Sequence, residues 1–133
     1  MFNKNNTDAG LLIIRIGLGI MFMLHGYPKI TGGPEKWEMI GKAMEHIGIG
    51  FAPTFWGFMA ALAEFGGGLC LILGFLFRPA LGMLTFTMCI AAYMHYVGGD
   101  GFNGYSHAVE SAIVFIGLFF CGPGKYALKI SRR

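Results

Sequence analysis

Four long apolar stretches fill most of the 133 residues, and they limit what this chain can fold into. They cover about residues 9–27, 53–77, 79–97 and 106–121, and a helix needs about 20 apolar residues to cross the bilayer hydrocarbon. Only 13% of the residues are charged, whereas soluble domains average about 25%. The sequence therefore predicts an all-α integral membrane four-helix bundle, with residues 1–133 forming a single transmembrane domain.

The connection between the first two stretches is polar but has helical periodicity. Its apolar side chains recur every three or four residues, and glutamates and lysines occupy the other side: Trp37, Ile40, Met44 and Ile47 form the apolar face. This pattern predicts a short amphipathic helix over residues 34–47, lying in the membrane interface. We expect Trp37 and Trp56 in aromatic belts at headgroup depth. Arg78 and Pro79 predict a tight hairpin at the opposite interface.

The distribution of basic residues predicts the topology, because cytoplasmic loops are enriched in lysine and arginine. Four spans place both termini on one side, together with six cations: Lys4, Arg78, Lys125, Lys129, Arg132 and Arg133. The other side has three lysines with acidic neighbours. We therefore expect both termini to be cytoplasmic in a bacterial-type inner (plasma) membrane. The basic tail is explained by this rule, so the lipid bilayer rather than a nucleic acid is the expected partner.

Six ionisable side chains lie within the apolar stretches: Arg15, His25, Glu64, His95, His107 and Glu110. A charge near the bilayer centre is costly unless it is paired or hydrated, so such residues face a bundle interior and mark function. Glu64 lies near the middle of its stretch, and Arg15 lies about 10 Å from it in depth at 1.5 Å per residue. We expect an Arg15–Glu64 ion pair. The alternative is that Arg15 reaches the inner headgroups.

The remaining four groups share the outer end of the predicted bundle. His25 closes the first stretch, His95 is near the end of the third, His107 opens the fourth, and Glu110 follows His107 by three residues. Three interpretations stay open. The histidines are hydrogen-bonded interfacial residues, or His25, His95, His107 and Glu110 bind a metal or a haem, or the cluster handles protons or a ligand. Aromatic residues at this level would also accept a quinone.

Three segments resemble the DoxX family of membrane proteins. They are LLIIRIGLGIMFMLHGYPKI, AEFGGGLCLILGFLFRPALG and GPGKYALK, which together extend over most of the chain. The last resembles the family's closing motif, except that this chain has Lys129 where the family usually has an aspartate. The resemblance implies a four-helix inner-membrane protein. It carries over these positions: Arg15, His25, Glu64, Arg78, Glu110 and Pro123.

The resemblance implies less about activity. The family is named after a subunit associated with a thiosulfate:quinone oxidoreductase, and other members are linked to oxidative-stress complexes or protein assembly. The cysteines Cys70, Cys89 and Cys121 are isolated in apolar runs, which gives no support to sulfur chemistry on this chain.

Three functions follow from these observations. The first is a redox-associated accessory subunit that binds a small lipophilic, quinone-like ligand, with Arg15, Glu64, His107 and Glu110 as polar anchors. The second is a non-enzymatic scaffold or assembly partner, in which Arg15 and Glu64 fix helix register. The third is a small proton or solute carrier. A membrane or redox partner protein and a homo-oligomer are both compatible with these functions, and the sequence leaves enzymatic activity open.

Overall fold

The computed structural model describes residues 3–129, and every regular element among them is helical. The elements are α1 (Lys4–Ile30), α2 (Gly33–Gly41) with its 3₁₀ extension (Lys42–Ile47), α3 (Pro53–Leu73), α4 (Phe77–Val97) and α5 (Gly101–Cys121). Four of them, α1, α3, α4 and α5, are long and apolar enough to cross a membrane. The predicted all-α class with four membrane helices is therefore confirmed.

Two helix ends differ from the predicted ones, at the proline near the end of α1 and at the turn before α4. α1 continues through Pro28 to Ile30, because a proline in the last turn removes only one backbone hydrogen bond. The turn after α3 occurs early, at Gly74 and Leu76, both with left-handed backbone conformations. Arg78 and its neighbouring proline consequently lie in the first turn of α4 rather than in the hairpin itself.

α1 and α2 run one after the other along α3, antiparallel to it. At the first crossing, a Cβ atom on Gly19 would stand 2.6 Å from the carbonyl oxygen of Gly68. Further on, a Cβ atom on Gly41 would overlap the Pro53 carbonyl, and one on Gly57 would overlap the Trp37 carbonyl. Glycine at these positions lets the helix backbones touch and gain dispersion contacts. Together α1 and α2 cover the length of α3.

Trp37 attaches α2, the short helix between the first two spans, to the rest of the bundle. Its indole N–H donates to the Lys29 carbonyl oxygen at 2.8 Å, and its ring meets Phe58 edge-on at 4.9 Å between centroids. Trp37 is thus half-buried between the end of α1 and the first part of α3.

Large side chains close the bundle between α1 and α5. The Cα atoms of these two helices stay more than 8 Å apart, while α5 packs closely on α4. Phe22 of α1 meets Phe115 of α5 with ring centroids 4.9 Å apart, and fully buried leucines lie around them: Leu71, Leu81 and Leu84. The wide α1–α5 spacing leaves room for a cavity between these phenylalanines and the end of the bundle at which α3 begins.

Candidate functional site

A part-buried ion pair joins α1 to the middle of α3, with the Lys29 side chain 34% exposed and the Glu64 side chain 5% exposed. Both carboxylate oxygens of Glu64 accept hydrogen bonds from Lys29 Nζ, at 2.8 and 2.9 Å. Glu64 is only 4% exposed and lies eleven residues after the start of α3, or about 16 Å along it. The predicted Arg15–Glu64 pair is therefore wrong, since Lys29 takes the place expected of Arg15.

Lys29 reaches Glu64 because of how closely α1 approaches α3. A Cβ atom on Gly26 would stand 2.5 Å from the Phe65 amide nitrogen, so the two helices are almost in backbone contact at this point. Lys29 follows three residues later on the same helical face. The sequence analysis ended the first helix before Pro28 and so did not predict that Lys29 faces the bundle. Gly26, which allows the close approach of the two helices, is the sequence signal that could have indicated Lys29.

The Arg15 guanidinium has hydrogen-bond acceptors without any carboxylate. It is 1% exposed, and its guanidinium donates to the carbonyl oxygens of Leu71 (3.0 Å), Ile72 (2.9 Å) and Pro123 (2.6 Å). The carbonyls of Leu71 and Ile72 belong to the last turn of α3, where the helix dipole is negative and favours a cation. Because an arginine has five donors in a planar fork, it can bond both chain segments at once.

Two further hydrogen bonds hold the closing segment against this end of the bundle. The Lys125 N–H donates to Asp8 Oδ1 at 2.9 Å, and the Leu128 N–H donates to the Leu73 carbonyl at 2.8 Å. Arg15 and the segment after α5 therefore form a structural clamp. At the same end, exposed Arg78 donates through Nε to the Phe119 carbonyl at 3.1 Å.

A large apolar groove of about 590 Å³ opens between α2 with its 3₁₀ extension, α3 and α4. Five of the chain's nine methionines line it, together with several aromatic residues. Its polar end is formed by Lys29, Glu64 and His95. Trp56 also lines the groove, and its indole N–H donates to the Phe51 carbonyl at 3.1 Å. The ion pair thus lies at the boundary of an apolar chamber.

A second, smaller cavity of about 160 Å³ lies on the other side of the ion pair, between α1, α4 and α5. His25, His95 and His107 line it, again with Lys29 and Glu64. We call it the histidine cavity. Four residues line both it and the groove: Lys29, Glu64, Ala91 and His95. The ion pair is therefore the partition between the apolar groove and the histidine cavity.

The three histidines share this cavity without the geometry of a metal site. The rings of His25 and His107 have centroids 6.1 Å apart, and His95 Nδ1 lies 2.6 Å from Asp100 Oδ2. Glu110 is exposed on α5 and lines neither cavity. Within residues 3–129, no three His, Cys, Asp or Glu side chains are grouped closely enough to hold a metal ion. The structure does not assemble the predicted ligand set of three histidines and Glu110.

Four apolar spans and a part-buried ion pair between two of them define a polytopic α-helical membrane protein, embedded in lipid. The DoxX family profile matches residues 10–97, and the chain belongs to the DoxX family. It is 35% identical over 130 residues to inner membrane protein YqjF of Escherichia coli (strain K12), covering 94% of this chain and 93% of that protein. An uncharacterized protein of Haemophilus influenzae is 31% identical over 124 residues, covering 89% and 87%. No solved structure matches the chain significantly.

Proposed function

We propose that this protein binds a small lipophilic, quinone-like ligand in the apolar groove, as an accessory subunit of a membrane redox system. The observation that carries the proposal is an apolar chamber with an ion pair at one end. Ligand sites are typically apolar clefts of about 300–1,000 Å³ with a few placed polar groups, and this groove has both properties. In this role the protein resides in the inner membrane with both termini cytoplasmic.

The lining favours a flat apolar molecule. Methionine side chains are flexible and polarizable, so they adapt to ligand shape and make favourable contacts with aromatic rings. Met44 and Met59 lie on one side of the groove, and Met94 with Phe86 lies on the other. Trp56 adds a rigid aromatic face near the mouth. These side chains suit a substituted ring better than a charged solute.

The polar end favours a ligand with a hydrogen-bond acceptor. An ammonium group has three N–H donors, and Lys29 uses two on Glu64, so one remains for a carbonyl oxygen entering from the groove. Neither Glu110 nor Arg15 lines the groove, so the anchors differ from those expected at the sequence level. Of the expected anchors, Glu64 is retained and Lys29 takes the place of Arg15. His107 lines the histidine cavity rather than the groove, and His95, which lines both, takes its place.

Tryptophan fluorescence offers a direct test, because Trp56 lines the groove and the chain's only other tryptophan, Trp37, does not. Decylubiquinone is titrated into the purified Trp37→Phe variant in mild detergent. We expect saturable quenching of Trp56 at micromolar quinone. The Ala60→Phe variant, which fills the groove, should lose saturation, while Ala9→Phe on the exposed face of α1 should not.

The result also separates the competing functions. Quenching that rises linearly with quinone in every variant reports partition into the detergent and would remove the groove as a quinone site. Mass spectrometry of lipophilic compounds extracted from the purified protein then shows whether another molecule occupies it. A protein that binds neither the probe nor any copurified molecule would be better explained as a scaffold.

A further inference from the structure

We propose that the histidine cavity is an aqueous entrance that carries protons to the Lys29–Glu64 pair from the side of the membrane at which α3 begins. The purpose of this entrance rests on the proposed function, since it would let a ligand in the groove exchange protons with that side alone. The entrance itself is a property of the bundle and is testable without any ligand.

Continuity between the surface and the ion pair is the first argument. His107 is exposed and lies six residues after the start of α5, nearer to the side at which α3 begins than Glu64, which lies eleven residues into α3 and is 4% exposed. His25 is also exposed, at the level of the ion pair, and all three residues line the same cavity. A volume of about 160 Å³ holds roughly five waters at ~30 Å³ each. A short chain of water therefore fits between the exposed rings and the buried carboxylate.

The lining is the second argument. Every helix that borders the cavity contributes an ionisable group: His25 and Lys29 from α1, Glu64 from α3, His95 from α4 and His107 from α5. Asp100 is bonded to His95 at the rim, and Glu110 faces away from the cavity. Water is retained in a cavity only when polar partners are present. The five ionisable side chains of the lining supply them, while the other five lining residues are apolar or glycine.

The closed inner end is the third argument, because it makes the entrance one-sided. Phe22 and Met88, both nearly fully buried, form the floor of the cavity. Below them, Phe115 packs edge-on against Phe22, and the surrounding leucines exclude solvent. The Arg15 clamp then seals the opposite end of the bundle. The buried hydroxyl of Ser111, one turn past His107 on α5, is held within its own helix, because it donates to the His107 carbonyl at 2.9 Å. The side chains beyond it that form the apolar layer are hydrophobic.

The ion pair is placed to pass a proton between the two chambers. A hydronium ion in the cavity loses one O–H bond as a Glu64 oxygen forms one, which leaves water behind and weakens the Lys29 contact. The Glu64 O–H bond then breaks as an anionic oxygen of the ligand in the groove forms its own O–H bond, which restores the carboxylate. Together these two transfers move one proton and no electrons. The ligand oxygen is anionic because the redox partner of the proposed function has already reduced the ligand. Because Lys29 and Glu64 line both chambers, no rearrangement of helices is needed.

Cysteine accessibility tests the entrance, because a charged methanethiosulfonate reacts with a thiolate, which forms only where water reaches the sulfur. The background is the full chain with Cys70, Cys89 and Cys121 replaced by alanine, in proteoliposomes. Ala108→Cys and Ala91→Cys place thiols in the cavity. The matched control is Ala112→Cys, which is buried one turn further along α5 and does not line the cavity. Lys4→Cys marks the side opposite to the proposed entrance.

We expect Ala108→Cys and Ala91→Cys to react at least about ten-fold faster than Ala112→Cys, and only with reagent on the side opposite to Lys4→Cys. The His107→Phe substitution should slow Ala91→Cys by narrowing the entrance. Equal rates at all three positions, or faster reaction from the Lys4→Cys side, would overturn the proposal. Two independent cysteines keep the test decisive if one variant fails to fold.

The outcomes are distinguishable from a failure of the proposed function. Fast, one-sided labelling together with absent decylubiquinone quenching would keep the entrance and discard the quinone. Saturable quenching together with unreactive cavity cysteines would keep the ligand and discard the entrance.

Discussion

The backbone of Gly26 lies directly against that of Phe65, and this contact places Lys29 opposite Glu64. A Cβ atom on Gly26 would stand 2.5 Å from the Phe65 amide nitrogen and 2.9 Å from its Cα atom. Main-chain atoms cannot move aside as a flexible side chain can. The glycine therefore sets the distance between α1 and α3 at the level of the ion pair, and with it the shape of both cavities.

Gly26→Ala should separate the two helices and weaken the ion pair without changing any charge. We expect a lower thermal unfolding midpoint in detergent and a several-fold weaker response to decylubiquinone. Gly17→Ala is the matched control, since a Cβ atom there meets nothing within 4 Å. It should leave both readouts unchanged or slightly raise stability, because alanine is the better helix former by up to about 1 kcal/mol. Equal behaviour of the two variants would contradict the packing argument.

Removing one partner of the Lys29–Glu64 ion pair should lower the free energy of unfolding more than removing both. Lys29→Met leaves the Glu64 carboxylate buried without a cation, and breaking such a pair costs on the order of 3–5 kcal/mol in proteins. We expect a smaller loss in the Lys29→Met/Glu64→Gln double variant, which carries no isolated charge. The free energy of unfolding, measured by denaturant titration in mixed micelles, completes a double-mutant cycle. Additive losses would show that the two side chains are not coupled.

Arg15 substitutions should affect stability but not the ligand. Arg15→Met removes three hydrogen bonds to backbone carbonyl oxygens, and each hydrogen bond to a charged group is worth about 1.5–3 kcal/mol. Arg15→Lys should recover only part of the loss, because a single ammonium cannot reproduce the planar fork. In variants that remain folded, decylubiquinone quenching of Trp56 should be unchanged, since Arg15 does not line the groove. A selective loss of quenching would instead connect the clamp to the groove.

The contact between α2 and α3 should tolerate no side chain at Gly57. A Cβ atom there would overlap the Trp37 carbonyl, so Gly57→Ala must displace α2 and open the groove. We expect a destabilised protein and an increased protease sensitivity of the segment that links α1 to α3. Gly82→Ala, with open space around its Cβ position on α4, is the control. Comparable digestion of both variants would show that α2 is not held in this way.

The sequence predicted the number and type of helices because the apolar stretches have the length that a bilayer requires. It predicted the wrong partner for Glu64, because depth in the membrane does not determine in which direction a long side chain such as that of Arg15 extends. Arg15 and Glu64 are separated in depth roughly as expected, yet Arg15 bonds the helix end beside it. Carbonyl oxygens at a helix terminus are present in every sequence and leave no residue-type signal. Only the three-dimensional approach of Gly26 to α3 identifies Lys29.

The clamp formed by Arg15 has a consequence for biogenesis. Its guanidinium bonds two carbonyls that are synthesised more than fifty residues later and a third, that of Pro123, 108 residues later. During insertion the first helix therefore enters the membrane with a cation that has none of its final partners. Neighbouring headgroups, water or an insertion factor must accommodate that charge until the last segment emerges from the ribosome. A chain truncated before Pro123 would keep its four hydrophobic spans but present an incompletely neutralised arginine, a feature by which membrane quality control can distinguish unfinished from finished molecules.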